Sequence, residues 1–201
     1  MRTKLVPFLS ADERARLARF QRQEDQERFL LGRGLLHLLA GAHLDLAAED
    51  VELGCGPFGK PCIDARAGAR APHFNISHSG NLVLLAFHPV LEVGVDVEEV
   101  RPNPELAAIA ARWFGPDVCR AWSQLDSVEQ LTAFYQEWTR HEARLKALGT
   151  GFAEERPMTL PDRLTTFELS LPEGYQGAAA CVLLAASARS AINSVHEKHL
   201  T

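Results

Sequence analysis

The residues Val93–Glu98, V-G-V-D-V-E, constrain this chain more than any other stretch. A strand turns successive side chains to opposite faces, so Val93, Val95 and Val97 share one face while Asp96 and Glu98 share the other. That sets two carboxylates about 7 Å apart along the strand. Like charges so close raise each other's pKa unless a cation lies between them, and a hard metal ion is the economical cation. In W-T-R-H-E-A-R-L-K, Trp138, Glu142 and Lys146 follow at i, i+4 and i+8, which stacks them along one side of a helix. A third carboxylate and a cation join the set. Taken singly, a D-x-E strand is more often a solvated edge, and an E-x-x-x-K pair is usually a surface ion pair worth roughly a few tenths of a kcal/mol. The rest of the chain has to decide between these readings.

At 201 residues, 46% of them hydrophobic and 23% charged, the chain is long enough for one large domain or two packed halves and has no disorder signature. A net charge of −5 and a pI near 5.9 argue against nucleic acid as a partner. A local arginine patch could still hold an anionic substrate. Cys55, Cys62, Cys119 and Cys181 lack C-x-x-C spacing and follow no secretory signal, so they read as reduced thiols of a cytoplasmic protein, with zinc disfavoured. The longest apolar run, Ala178–Ala186, falls far short of the roughly 20 residues of a membrane span.

Ser10-Ala11-Asp12-Glu13 reads as a helix N-cap, and the spacing of Leu17, Phe20, Phe29, Leu30, Leu35, Leu36 and Leu39 predicts at least two helices from Asp12 to about His43. Arginines 14, 16, 19, 22, 28 and 33 alternate with Glu24, Asp25 and Glu27, so most of them form a solvated face. The remainder could grip phosphate with their planar fork of donors. Gly54–Pro61 is a turn cluster that places Lys60 between Gly and Pro. His73–Asn81 leads into a strand at Leu82–Phe87, with Ser77, His78 and Ser79 on a loop between two strands. Neighbouring Ser and His would point to opposite faces of a strand, and no carboxylate lies nearby in sequence, so phosphate binding suits this group better than nucleophilic catalysis.

A strand at Glu92–Glu98, a rigid turn at Arg101–Pro104, a helix over Glu105–Phe114 stopped by Gly115-Pro116, and a helix from about Ser127 to Leu148 follow. Gly149-Thr150-Gly151-Phe152 ends the last of these. Leu164–Leu171 and Ala178–Ala186 form a hairpin around Pro172-Glu173-Gly174, and from Ser187 the tail is polar and loosely held. The order of elements predicts an α+β protein with no repeat at fixed period.

Four motifs in this order, G-K-P at 59–61, F-N-I-S-H-S-G at 74–80, G-V-D-V-E at 94–98 and W-T-R-H-E-A-R-L-K-A-L-G-T-G-F at 138–152, resemble the 4′-phosphopantetheinyl transferases of the surfactin-synthetase-activating (Sfp-like) type. The likeness runs from about Leu9 to Ala186. It implies two similar α+β halves related by a pseudo-two-fold, residues 1–90 and 91–190 with a polar tail at 191–201, a linker near His88–Glu92 and coenzyme A in the cleft between the halves. It also implies the reaction, transfer of the phosphopantetheine arm of coenzyme A to a serine of an acyl or peptidyl carrier protein, with release of adenosine 3′,5′-bisphosphate. Carried over by residue, Asp96, Glu98 and Glu142 would hold Mg²⁺, and Glu142 would take the proton of the incoming serine. Lys146 would contact the phosphates and offset charge on the leaving group. Lys60, Ser77 and His78 would grip phosphates, His78 the 3′-phosphate, and Arg16, Arg28 and Arg33 are further candidates. The segment Arg101–Trp122 would border the carrier protein. A cytoplasmic monomer with no nucleic-acid or membrane partner is the expected state.

Three departures from that pattern stand out. Such proteins usually carry a strand before the segment matching Leu9, whereas this sequence begins almost at the helix, so either its start is set late or the first half lacks a strand. Glu13 stands where some relatives have a phosphate-binding lysine. His141 replaces the lysine of W-x-x-K-E, and the sign of its pKa shift is open, since Glu142 and phosphates would raise it while Mg²⁺, Arg140 and burial would lower it. These departures leave as the alternative a coenzyme A- or carrier-protein-binding module without efficient transfer. A metal-dependent phosphohydrolase on the same carboxylates is a third reading.

Overall fold

The computed structural model describes residues 2–56, 59–64, 71–149 and 163–183. Helix α1 (Arg2–Leu5) runs into a 3₁₀ turn at Val6–Phe8. Ser10 then opens α2 (Ala11–Leu17) with a full capping box, its hydroxyl accepting from the Glu13 amide while the Glu13 carboxylate accepts from the Ser10 amide. The long α3 (Gln23–Leu44) ends where Asp45 adopts a left-handed φ of 58°. The turn cluster expected at residues 54–61 carries two short strands, β1 (Leu53–Cys55) and β2 (Pro61–Ile63), closed by the Gly56 amide donating to the Lys60 carbonyl at 2.8 Å.

β3 (His73–Ser79) and β4 (Leu82–His88) form an antiparallel hairpin. Ser77, His78 and Ser79 therefore lie on a strand, not on the loop expected for them. Gly80, at φ 52°, closes the turn with Asn81, so the ladder runs unbroken from His73↔His88 to Ser79↔Leu82.

β5 (Val93–Glu99) begins the C-terminal elements, and its three valines are all buried. α4 (Leu106–Trp113) follows, then α5 (Pro116–Ser123), a helix the sequence reading lacks. Gly115-Pro116 ends the first and starts the second, because proline needs no N–H at the first helical position. α6 (Ser127–Leu148) has the expected extent, with an Asp126–Glu129 capping box at one end and Gly149 at φ 70° at the other. β6 (Leu164–Glu168) and β7 (Tyr175–Val182) make the expected hairpin and complete an antiparallel sheet of order β5-β7-β6. Thr150–Phe152 and the tail from Ser187 lie outside the described residues. No helix among the described residues is long and apolar enough to cross a membrane.

Two cores result. α3 covers the β3–β4 hairpin through Leu36, Ala40 and Phe74, joined by Val51 and Ile63. α6 lies on β5 and β7 through Ala143, Ala147, Ala178 and Ala180, residues small enough to bring the helix down onto the strands. Gly94 makes that approach possible, since a Cβ there would stand 2.0 Å from the Ala143 carbonyl oxygen and 2.3 Å from the Ala147 nitrogen.

β5 is satisfied on both edges in different ways. One edge pairs with β7 from Val93↔Cys181 to Glu99↔Tyr175. On the other edge the amides of Val95, Val97 and Glu99 donate to side chains of β3: Asn75 Oδ1 at 2.9 Å, Ser77 Oγ at 3.3 Å and Ser79 Oγ at 3.1 Å. Both strands advance by two residues at each step, so β3 lays a row of side-chain acceptors along β5 where a neighbouring strand would offer carbonyls.

The Gly94 contact gives a direct test. Gly94→Ala must move backbone, and should lower the stability by about 1–3 kcal/mol. Urea unfolding should show a lower midpoint at constant slope, and an unchanged midpoint would mean that α6 does not sit at this depth.

Candidate active site

The seam between β3 and β5 gathers the charged residues. Asp96 is 2% exposed. Its Oδ1 accepts from Ser77 Oγ at 2.8 Å and from Lys146 Nζ at 2.5 Å, and Lys146 also reaches Ser77 Oγ at 3.1 Å. One register step away, Glu98 Oε2 accepts from Ser79 Oγ at 2.8 Å. Glu142, 8% exposed, comes down from α6 into the same space.

Burial and like charge govern the electrostatics of this group, with Lys146 opposing them. Burial pushes the Glu98 carboxyl above its usual range, the Ser79 hydrogen bond opposes it, and the charge of Asp96 adds to it. Glu142 is pushed up to about 7, by burial first, with Lys146 opposing and Asp96 and Glu98 adding to the rise. Asp96 Oδ2 and Glu142 Oε1 are buried with no hydrogen-bond partner. Three carboxylates, two of them with an unpartnered buried oxygen, offer a hard, oxygen-only donor set, which suits Mg²⁺ and not a thiophilic metal. Among the described residues no three His, Cys, Asp or Glu are drawn together closely enough to hold a metal ion, in keeping with Lys146 resting on Asp96 and Ser79 on Glu98.

The other expected site residues separate into groups. His78 is exposed on the opposite face of β3, its pKa lowered by partial desolvation and by the charge of Arg28. Arg28 donates to the Gly80 carbonyl at 2.7 Å and pairs with Asp25, which places it at the turn beside His78. Arg16 and Arg33 lie further along the helices against the Phe29 ring, at 5.3 and 6.0 Å. Arg33 also faces Glu13 at 3.7 Å, and Glu13 bonds the buried His37 Nε2 at 2.8 Å. The acid that replaces a lysine thus pairs with a neighbouring arginine.

Lys60 is not among the carboxylates. Its ammonium binds Glu92 Oε2 at 2.7 Å and the carbonyls of Val93 at 3.1 Å and Ala147 at 3.3 Å, tying the N-terminal hairpin to the start of β5 and the end of α6. His141 is turned from Glu142 into an aromatic cluster, 5.5 Å from Trp113 and 6.0 Å from Trp138 between ring centroids. Burial, reinforced by Arg144 and opposed by Glu137, lowers its pKa, so it is neutral at pH 7 and does not supply the charge of a lysine. The sequence reading gave no role to Asn75 and placed Ser79 only in a phosphate-binding loop, with no link to β5. Their signal was the alternation N-x-S-x-S, visible once the strand is carried through to Ser79.

Two family models divide the chain. One described as 4′-phosphopantetheinyl transferase, N-terminal, matches residues 3–90, and one described as the 4′-phosphopantetheinyl transferase superfamily matches residues 92–196. The chain belongs to the 4′-phosphopantetheinyl transferase superfamily. Its α+β architecture is that of a phosphopantetheinyl transferase fold. Similar proteins include slr0495 of Synechocystis, 37% identical over 155 residues (77% of this chain, 63% of that protein). The 4′-phosphopantetheinyl transferase HetI of Nostoc is 36% identical over 150 residues (75% and 63%), and Sfp of Bacillus subtilis is 33% identical over 150 residues (75% and 64%). The chain spans somewhat less than two thirds of these relatives. Sfp is the more distant of the three, so the likeness establishes the superfamily and leaves the Sfp-like type to be tested.

The raised Glu142 carboxyl has a thermodynamic consequence. Folded protein keeps the Glu142 proton over a range in which the unfolded chain, at the ordinary 4.5, has lost it. That contribution to stability is complete below pH 4.5 and is lost as the pH rises to about 7. It amounts to roughly 3 kcal/mol at about 1.4 kcal/mol per pH unit. In EDTA the parent should therefore lose stability across this window and Glu142→Gln should lose much less. Parallel pH dependences in urea unfolding would show that Glu142 titrates normally.

Proposed function

We propose that this protein transfers the 4′-phosphopantetheine arm of coenzyme A to a serine hydroxyl of an acyl or peptidyl carrier protein, in an Mg²⁺-dependent reaction that releases adenosine 3′,5′-bisphosphate. The observation that carries this reading is the meeting of Asp96, Glu98, Glu142 and Lys146 along the seam where β3 meets β5. Two units, 1–90 and 91–190, would then embrace one coenzyme.

Each group has a task in that reaction. The serine oxygen forms a bond to the phosphorus that carries the arm, and the bond from that phosphorus to the bridging oxygen breaks. Glu142 would take the serine proton, its buried Oε1 having no hydrogen-bond partner. Lys146 leaves Asp96 for the pyrophosphate and stabilises the negative charge gathering on the leaving bisphosphate. Asp96, Glu98 and Glu142 would hold Mg²⁺, which when bound neutralises pyrophosphate charge. Arg28 as the cation and His78 as an imidazole donor, side by side at the β3–β4 turn, form an end suited to the 3′-phosphate. Ser77 could add a phosphate contact only by giving up Asp96, and Lys60 only by leaving its three acceptors, so we give Lys60 the task of holding the halves together.

Mass spectrometry of an apo carrier protein incubated with this protein, coenzyme A and Mg²⁺ is the decisive measurement. Transfer should add one phosphopantetheine arm to the serine, EDTA should abolish it, and Asp96→Ala should slow it by about 10²-fold or more. An unlabelled carrier with coenzyme A intact would mean a binding module, and coenzyme A consumed without labelling would mean a hydrolase. Full activity in Asp96→Ala would remove the assigned site.

Because His141 is neutral within its aromatic cluster, His141→Phe should transfer within about threefold of the parent, with a superimposable pH profile. A pH-dependent loss in the parent that His141→Lys abolishes would show that the charge is needed after all.

A further inference from the structure

The hydroxyl of Ser79 sits between two groups of β5. It accepts from the Glu99 amide at 3.1 Å and donates to Glu98 Oε2 at 2.8 Å. The same unit occurs one step earlier: Ser77 accepts from the Val97 amide at 3.3 Å and donates to Asp96 Oδ1 at 2.8 Å. A hydroxyl has a single proton and rotates freely until its lone pairs are claimed. Here the amide claims one, which leaves the proton directed at the carboxylate of the preceding residue. Amide, hydroxyl and carboxylate thus repeat every two residues along the seam, and the serine always comes from the opposite half.

Glu98 needs such a partner more than Asp96 does. Its side chain is longer by one rotatable bond and is only half-buried, whereas Asp96 is fully enclosed and also held by Lys146. A ligating carboxylate that can swing binds metal weakly, and outer-sphere hydrogen bonds restrain it. The Ser79 bond occupies Oε2 alone.

We propose that Ser79 is a positioning residue of the metal site: its hydroxyl, oriented by the Glu99 amide, fixes the Glu98 carboxylate for Mg²⁺, so the site is completed only when β3 lies against β5. This rests on the reading that Asp96, Glu98 and Glu142 take Mg²⁺. Ser79 touches neither coenzyme nor serine in this scheme, and acts through Glu98.

Mn²⁺ serves as the probe, with free ion measured by electron paramagnetic resonance on the full chain in the absence of coenzyme A. Ser79→Ala should weaken Mn²⁺ binding about tenfold, the lower end of the range for outer-sphere partners, while Ser79→Thr, which keeps the hydroxyl, should stay within about twofold of the parent. Ser79→Cys keeps the volume but donates weakly, so it should also weaken binding, and it serves if the alanine variant fails to fold. Parent-like affinity in Ser79→Ala or Ser79→Cys would overturn the proposal, as would equal losses in the alanine and threonine variants. Asp96→Asn separates the two readings. If it too binds Mn²⁺ like the parent, the metal site itself is misassigned and Ser79 falls with it. If it loses Mn²⁺ while the Ser79 variants do not, only the role of Ser79 fails.

Discussion

The structure depends on how β5 finds partners for its second edge. A strand with one free edge carries a row of unpaired amides, and burying them unpaired would cost about 1–3 kcal/mol each. Here β3 does not pair its backbone with β5. It turns the face carrying Asn75, Ser77 and Ser79 toward it, and three side-chain oxygens meet three amides. The arrangement fixes register as strictly as a ladder would. A slip of one residue would put Ile76 and His78 against the amides, and Ile76 has no acceptor to give. The residues of β3 that face away, Phe74 and Ile76, meet α3 and its neighbours, with Ile76 against the bare backbone of Gly32. One strand thus joins the N-terminal core on one face and the C-terminal sheet on the other.

The chemistry of the site follows from the same geometry. Serine suits this seam because a hydroxyl can accept and donate at once, so after taking an amide it still has a proton for a carboxylate. Asparagine at position 75 lies opposite the valine end of β5, where there is no carboxylate to serve, and there a carbonyl oxygen suffices. On the other side α6 is brought close by Gly94, Ala143 and Ala147. Glu142 and Lys146 each precede one of those alanines, so they form the adjacent stripe of the helix, rotated about 100° from the packed face. The small residues set the depth of the helix, and the stripe beside them delivers an acid and a cation to the seam.

How far the sequence could be read follows the range of the forces involved. The period of two in Val93–Glu98 and the i, i+4, i+8 spacing on α6 are local signals, and both elements appear where they were expected, with Asp96, Glu98, Glu142 and Lys146 sharing one site. Ser77–Ser79 were placed on a loop because serine, histidine and glycine resemble turn residues. Only the cross-strand partners Leu84, Val83 and Leu82 show that the strand continues. α5 was missed because Gly-Pro was read only as a stop, although it serves equally as a start. Lys60 finds its acceptors 32, 33 and 87 residues away, and His141 turns toward Trp113 of another helix. No spacing rule reports contacts of that range.

The N- and C-terminal elements meet at two lysines along a single turn of α6. Lys146 reaches from the helix to Asp96 and Ser77, and Lys60 reaches to the helix at the Ala147 carbonyl, one residue further on. The second contact lies where a helix leaves its last carbonyls unpaired and carries partial negative charge, so an ammonium there is stabilised independently of any ligand. The first contact is of another kind. Lys146 lies against a carboxylate in a cluster of three acids and one base, where an arriving cation would repel it and an arriving pyrophosphate would attract it. A cation and an anionic ligand entering together therefore both favour release of Lys146 from Asp96, one by taking its acceptor and the other by offering a new one. Lys60, bound to two carbonyls and to a carboxylate outside the cluster, meets no such competition and can hold the helix in place while Lys146 moves.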